Sequence, residues 1–158
     1  MQLLWMSLFA LGIAAADQIT KYLVVTHIPL YADVAVIDGI VNFTYVQNTG
    51  AAFSMLSGMQ WLFVLVFLVL TAVLLWIFLK KPLPFTALEY WCIAAVYGGA
   101  LGNIIDRIRL GYVVDMIEVQ FVKFAVFNLA DCFITCGCIL LIVHLWFFNK
   151  TFWKDGKK

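Results

Sequence analysis

Charge is what this sequence has least of. Asp, Glu, Lys and Arg together make up 12% of the 158 residues, against 65% hydrophobic residues and a mean hydropathy of +1.02. So few charges cannot give a folded domain a water-soluble surface, so the chain reads as an integral membrane protein. The ten Lys and Arg residues form no long run and no aromatic-interleaved patch, which removes nucleic acid from the candidate partners. Metal-ligating residues are scarce as well. Cys92, Cys132, Cys136 and Cys138 make no CxxC pair, and the two histidines, His27 and His144, lie far apart, so neither a zinc nor an iron–sulfur site is supported and no metal or cofactor is expected. Three of the thiols crowd one apolar segment, where Cys behaves as a small hydrophobe, and nothing requires a disulfide.

What the chain has in abundance is long apolar runs. A span needs roughly 20 mostly apolar residues, and four segments qualify: about 3–25, 59–79, 88–106 and 127–148. They predict a single integral membrane domain, an all-α four-helix transmembrane bundle, with segments of about 26–58 and 107–126 between the spans. Ala14-Ala15-Ala16 resembles a signal-peptide cleavage site, but no Lys or Arg precedes it, so the first span is expected to stay uncleaved. Residues 26–58 carry no Lys or Arg, whereas Lys80 and Lys81 follow the second span and Lys150, Lys154, Lys157 and Lys158 fill the tail. The positive-inside rule then places both termini in the cytoplasm, six basic residues inside against Arg107, Arg109 and Lys123 outside. Residues 34–46 and 117–126, rich in β-branched and aromatic residues or partly alternating, suit short strands of a small extracytoplasmic sheet on the outer surface.

In that topology every unusual polar residue collects at the outer ends of the helices. Asp17 and Lys21 form an i,i+4 pair that makes the end of the first span tolerable. Ala94, Gly98 and Gly102 make a small-residue stripe for close helix packing. Asn103, Asp106 and Arg107 share a face, either as a local Asp–Arg salt bridge or as part of a site. Asn128 with Asp131 three residues on resembles a capping box, and the helix macrodipole favours a carboxylate there. Capping leaves a second acid unexplained: Asp115, within the apolar run Val113-Val114-Asp115-Met116-Ile117, could fold back beside Asp131.

Two carboxyls close enough to share a proton titrate apart, one ionised and one neutral. The first can deprotonate an attacking water and the second can protonate an oxyanion or leaving amine. Other hydrolytic schemes lack parts, since His144 lies on the order of 20 Å along the helix from Asp131 and Cys132 has no histidine to activate it. A transporter would need polar groups spread through the membrane, which residues 59–79 do not offer. A purely structural assembly subunit is the other reading.

Five blocks then carry a resemblance: Asp17-Gln18-Ile19-Thr20-Lys21, Asn48-Thr49-Gly50-Ala51-Ala52-Phe53-Ser54, Gly98 through Arg107, Gly111-Tyr112-Val113-Val114-Asp115, and Phe127-Asn128-Leu129-Ala130-Asp131. In that order they resemble lipoprotein signal peptidase (signal peptidase II), a family of membrane aspartic proteases. The resemblance implies Asp115 and Asp131 as catalytic residues, Asn48, Gly50, Asn103, Asp106, Arg107 and Asn128 as the polar shell, and Asp17 and Lys21 as structural support. It also implies a monomer in the bacterial cytoplasmic membrane, among membrane lipids, with its site near the outer face. The substrate would be a lipid-modified prolipoprotein, cut on the amino side of a diacylglyceryl-cysteine. Two positions depart from the family pattern, Met116 where Phe is common and Cys132 where Ser or Ala is usual; both affect packing rather than acid–base chemistry.

Overall fold

The structure, a computed structural model, describes residues 2–51, 55–80 and 83–155, the last two without their side chains. Ala52, Phe53, Ser54, Lys81, Lys157, Lys158 and the Lys154 side chain, which entered the sequence expectations, lie outside the described residues.

Helices α1 (Gln2–His27), α2 (Gln60–Lys80) and α4 (Leu129–Phe147) are each long and apolar enough to cross a membrane. Helix α3 (Ala87–Leu110) is also long enough, at about 1.5 Å per residue, but with its glycines, Asn103 and charged ends it is less apolar than those three. Thr86 and Glu89 start it with a capping box. It runs four residues past the expected end and stops at Gly111, whose φ of +78° is the left-handed conformation that glycine adopts without cost. A short α5 (Lys150–Asp155) follows α4.

Helix α3 is the centre of the bundle because its glycines remove the bulk that would keep neighbours away. A Cβ on Gly98 would lie 2.7 Å from the carbonyl oxygen of Ala10, one on Gly102 would lie 2.5 Å from Asp17 Oδ2, and one on Gly99 would lie 2.5 Å from the carbonyl oxygen of Ala130. Gly98 and Gly102 therefore seat α1, and Gly99 seats α4. Helix α2 is more peripheral, held to α3 by Phe67 stacked on Tyr97 and by Phe78 against Tyr90. Large apolar side chains on its outer face and on α4, among them Leu65, Leu68, Ile139 and Leu140, are exposed, as a lipid-facing surface requires.

The sheet has the order β1-β2-β3 and is antiparallel throughout: β1 (Asp33–Ile37), β2 (Val41–Asn48) and β3 (Val113–Val119). The first expected strand region is thus a hairpin turning at Gly39, where φ is +70°. The second expectation needs correction: the strand spans 113–119 rather than 117–126, and beyond it only the bridge Ile117–Phe127 remains. Val113 through Met116 is buried on both faces, so it shows no alternation for a period-2 reading to catch. Val24 of α1 and Ile28 just beyond it pack with Tyr45, Val114 and Met116, which docks the sheet on the C-terminal end of α1.

Candidate active site

The chain directions put the C-termini of α1 and α3, the N-terminus of α4 and the start of β3 at one end of the bundle. Asp131 stands in the first turn of α4, and the expected capping box is complete: the Asn128 side chain accepts from the Asp131 N–H at 3.0 Å, and Asp131 Oδ2 accepts from the Asn128 N–H at 3.1 Å. Asp115 stands in the buried half of β3. Its Oδ1 accepts from Asn128 Nδ2 at 2.6 Å and its Oδ2 from Asn48 Nδ2 at 2.9 Å. Asn128 therefore touches both acids, one through its backbone and one through its amide. Capping and bridging are done by one residue.

Asn103 completes the link. Its Nδ2 donates to Asp131 Oδ1 at 2.8 Å, while its Oδ1 accepts from Asn128 Nδ2 at 3.1 Å and from Lys21 Nζ at 2.9 Å. Lys21 is buried, and its ammonium also meets Asp17 Oδ2 at 2.7 Å and Asp106 Oδ2 at 3.1 Å. Two carboxylates and an amide oxygen thus lie within 3.1 Å of it, the condition under which a buried ammonium is tolerable. Asp17 reaches further still, its Oδ1 accepting from the Ala130 N–H of α4 at 2.9 Å. Of the two readings of the Asn103–Asp106–Arg107 face, the local Asp–Arg salt bridge does not form: Asp106 pairs with Lys21, and also accepts from Gln18 Nε2 at 2.8 Å and from the Val114 N–H at 3.1 Å.

Arg107 points elsewhere. Its Nη2 donates to the Gly50 carbonyl at 2.9 Å, its Nη1 to the Asn103 carbonyl at 3.3 Å, and its guanidinium lies 4.3 Å from the centroid of the Phe63 ring. The Gly50 N–H in turn donates to Asn48 Oδ1 at 2.9 Å. The loop enters the site through the main chain of Gly50, tied at one group to an asparagine on Asp115 and at the other to Arg107.

Asn48, Gly50, Asn103, Arg107, Asp115 and Asp131 all line one cavity of about 480 Å³. Its remaining wall is apolar or small, with Phe124 to Phe127 on one side and Cys132, Thr135 and Cys136 of α4 on another. Asp17, Lys21, Asp106 and Asn128 are outside that lining, Lys21 and Asn128 being bonded to residues that form it. Burial, joined by the nearby negative charge of Asp131, pushes the Asp115 carboxyl up to about 6, although the Asn48 and Asn128 amides pull the other way. An acid raised into that range in a cavity shared with a second acid is suited to proton transfer.

A family model described as signal peptidase (SPase) II matches residues 9–147. The chain belongs to the signal peptidase II family. It is a protease, and its apolar helices make it a multi-pass membrane protein. Lipoprotein signal peptidases of Streptococcus pyogenes serotype M5 (strain Manfredo) and serotype M3 (strain SSI-1) are 42% and 41% identical to it over 137 residues, 85% of this chain and 88% of theirs. Two solved structures described as bacterial membrane enzymes, obtained by the in meso method at 2.3 Å and 1.9 Å, superpose with TM-scores of 0.83 and 0.79 at 33% identity. They cover 91% and 90% of this chain and 88% and 92% of theirs.

The sequence reading of this signal peptidase II member missed two things. Gln18 sits inside a quoted motif, yet its bonds to Asp106 and to the Gly102 carbonyl, at 3.1 Å, went unanticipated; its i+1 position beside Asp17 was the available signal. Glu89, a lone charge near the start of the third apolar run, is fully buried and pairs with His144 at 2.8 Å. These two stand 55 residues apart, and nothing local links them.

Proposed function

We propose that this protease removes the signal peptide of lipoprotein precursors with an Asp115–Asp131 dyad that activates water. The observation that carries the reading is the shared cavity: two acids from distant parts of the chain line it, bridged by Asn128. Asp131, which accepts from the Asn103 amide and the Asn128 N–H in the first turn of α4, takes the proton of the attacking water. Asp115 holds the proton that passes to the oxyanion or leaving amine. Entry of an apolar substrate displaces water and raises Asp115 further, which makes that division of labour firmer in the complex.

The cavity suits a substrate with a peptide bond and a lipid in one piece. Its polar end offers the Gly50 and Arg107 groups to a main chain, and the Cys132, Thr135 and Cys136 face of α4 runs from Asp131 toward the lipid-exposed Ile139 and Leu140. Cleavage then falls on the amino side of a diacylglyceryl-modified cysteine. Helix α3 crosses as a fourth span: no charge lies between Glu89 and Asp106, and both of those are buried and paired. The basic residues place both termini in the cytoplasm and the dyad near the outer face of the bacterial cytoplasmic membrane.

Purified enzyme with a synthetic lipopeptide tests the reading, the product amino terminus being read by mass spectrometry. The expected result is a single cut before the lipidated cysteine, no cut in the unlipidated peptide, and none by Asp131→Asn. Cleavage at another bond, or at normal rate by Asp131→Asn, would overturn it.

A further inference from the structure

A second buried polar cluster lies at the end of the bundle opposite the aspartates, and the proposed chemistry does not use it. Glu89 begins α3 with no solvent exposure. Its Oε1 meets His144 Nδ1 at 2.8 Å and Asn149 Nδ2 at 2.9 Å, while its Oε2 accepts from Asn149 Nδ2 at 2.8 Å and from the Thr86 N–H at 2.7 Å. Among the described residues no Lys or Arg pairs with it, so these donors carry the solvation of a buried carboxylate.

Asn149 is the hub. It is itself buried, donates also to the Pro84 carbonyl at 2.9 Å, and accepts at Oδ1 from the Phe152 N–H at 3.1 Å, which starts α5. The fold-back is secured twice more, by Trp153 Nε1 on the Leu145 carbonyl at 2.8 Å and by Phe152 stacked on Phe85 with ring centroids 5.9 Å apart. Asn149, Phe152 and Trp153 lie beyond residue 147, where the match to the family model ends, whereas the groups they hold lie within it.

We propose that residues 149–155 are a C-terminal latch: Asn149 completes the solvation of the Glu89 carboxylate and locks the tail against the α2–α3 connection and the end of α4. The latch stabilises that end without feeding into catalysis, and helix packing decides this. Between latch and dyad, α3 and α4 approach closely at two levels. A Cβ on Gly137 would lie 2.8 Å from Val96 Cγ2 and 3.2 Å from the Cys92 carbonyl oxygen, and one on Gly99 would lie 2.5 Å from the Ala130 carbonyl oxygen. The Gly99 contact is four residues from Asn103, about 6 Å along the axis. Two glycine contacts hold the α3–α4 register there, so loosening the far end leaves Asn103 on Asp131.

The test uses the full-length protein in detergent with Asn149→Leu, which keeps the bulk and removes the donors. Its melting temperature should fall by about 5–10 °C. Hydrogen exchange should accelerate at least about tenfold in 83–90 and 144–155, and kcat/KM for the lipopeptide, measured well below melting, should stay within about twofold of the parent. If Asn149→Leu does not accumulate, Asn149→Ser is read by exchange and kcat/KM in the same way. Unchanged melting and exchange would overturn the latch. A fall in kcat/KM without a change in melting would overturn its separation from catalysis. Both outcomes leave the dyad reading untouched, because that reading stands on the Asp131→Asn result.

Discussion

Asp115→Asn separates a dyad from a structural anchor, because the two roles predict opposite changes in stability. Lifting this carboxyl from an ordinary 3.8 to about 6 means that ionised Asp115 costs the folded protein about 3 kcal/mol near neutral pH. Asp115 is 2% exposed, so solvent screening takes little away. A neutral amide of the same shape removes that cost. It also turns one acceptor into a donor, and since both oxygens of Asp115 face amide donors, at 2.6 and 2.9 Å, one bond is lost at about 1.5–3 kcal/mol. The net expectation is a change between zero and about 1.5 kcal/mol in favour of the variant above pH 6, with cleavage down at least about 100-fold. A buried acid serving as an indispensable ion-pair anchor would instead cost about 3–5 kcal/mol. Because the folded protein keeps a proton that the unfolded chain has released, the parent loses this contribution as pH rises from about 4 to about 6, a slope absent from the variant. Melting against pH in mixed micelles, paired with lipopeptide turnover by chromatography, reads both quantities. Normal turnover, or destabilisation of 3 kcal/mol or more, would refute the reasoning.

The remaining expectations follow from the same network. The kcat/KM profile should fall on its basic side near pH 6, where Asp115 loses its proton, and Asn48→Ala should move that limb to higher pH, because the Asn48 bond holds the carboxyl down; a limb that stays put or moves down counts against Asp115 as the acid. Lys21→Met leaves Asp17 and Asp106 buried without their cation and should cost about 3–5 kcal/mol, a melting drop of about 10 °C or more that adding Asp17→Asn partly restores; melting like the parent would show the ion network to be dispensable. Gly99→Ala drives a methyl into the Ala130 carbonyl and should cost about 1–3 kcal/mol together with most activity, since it displaces the turn that carries Asp131; unchanged turnover would show that this turn has slack.

Local patterns were legible in the sequence and distant pairings were not. The Asn128–Asp131 box and the Asp17–Lys21 pair depend on spacing within one helix, so three- and four-residue intervals suffice to read them. Choosing Lys21 rather than Arg107 as the partner of Asp106 depends on how closely α1 approaches α3, which Gly98 and Gly102 set in space. Strand β3 was placed too late because burial on both faces erased the alternation that identifies half-buried strands. Asp115 is marked in the sequence by chemistry rather than periodicity, as an acid within an apolar run, and the structure brings it into one cavity with Asp131. Glu89 and His144 carry no such mark: they stand 55 residues apart at the ends of two different helices, and only the packing of α3 on α4 brings them together.

The ammonium of Lys21 also constrains how the molecule is born. Its acceptors include Asn103 and Asp106 from the third helix to emerge during synthesis, and its neighbour Asp17 waits for an N–H from the fourth. A nascent chain with one or two helices inserted carries this ion pair with most of its partners still unmade. The arrangement therefore rewards only the finished bundle: an incomplete one leaves the pair electrostatically raw, and the last helix to arrive closes the circuit on which the first one depends.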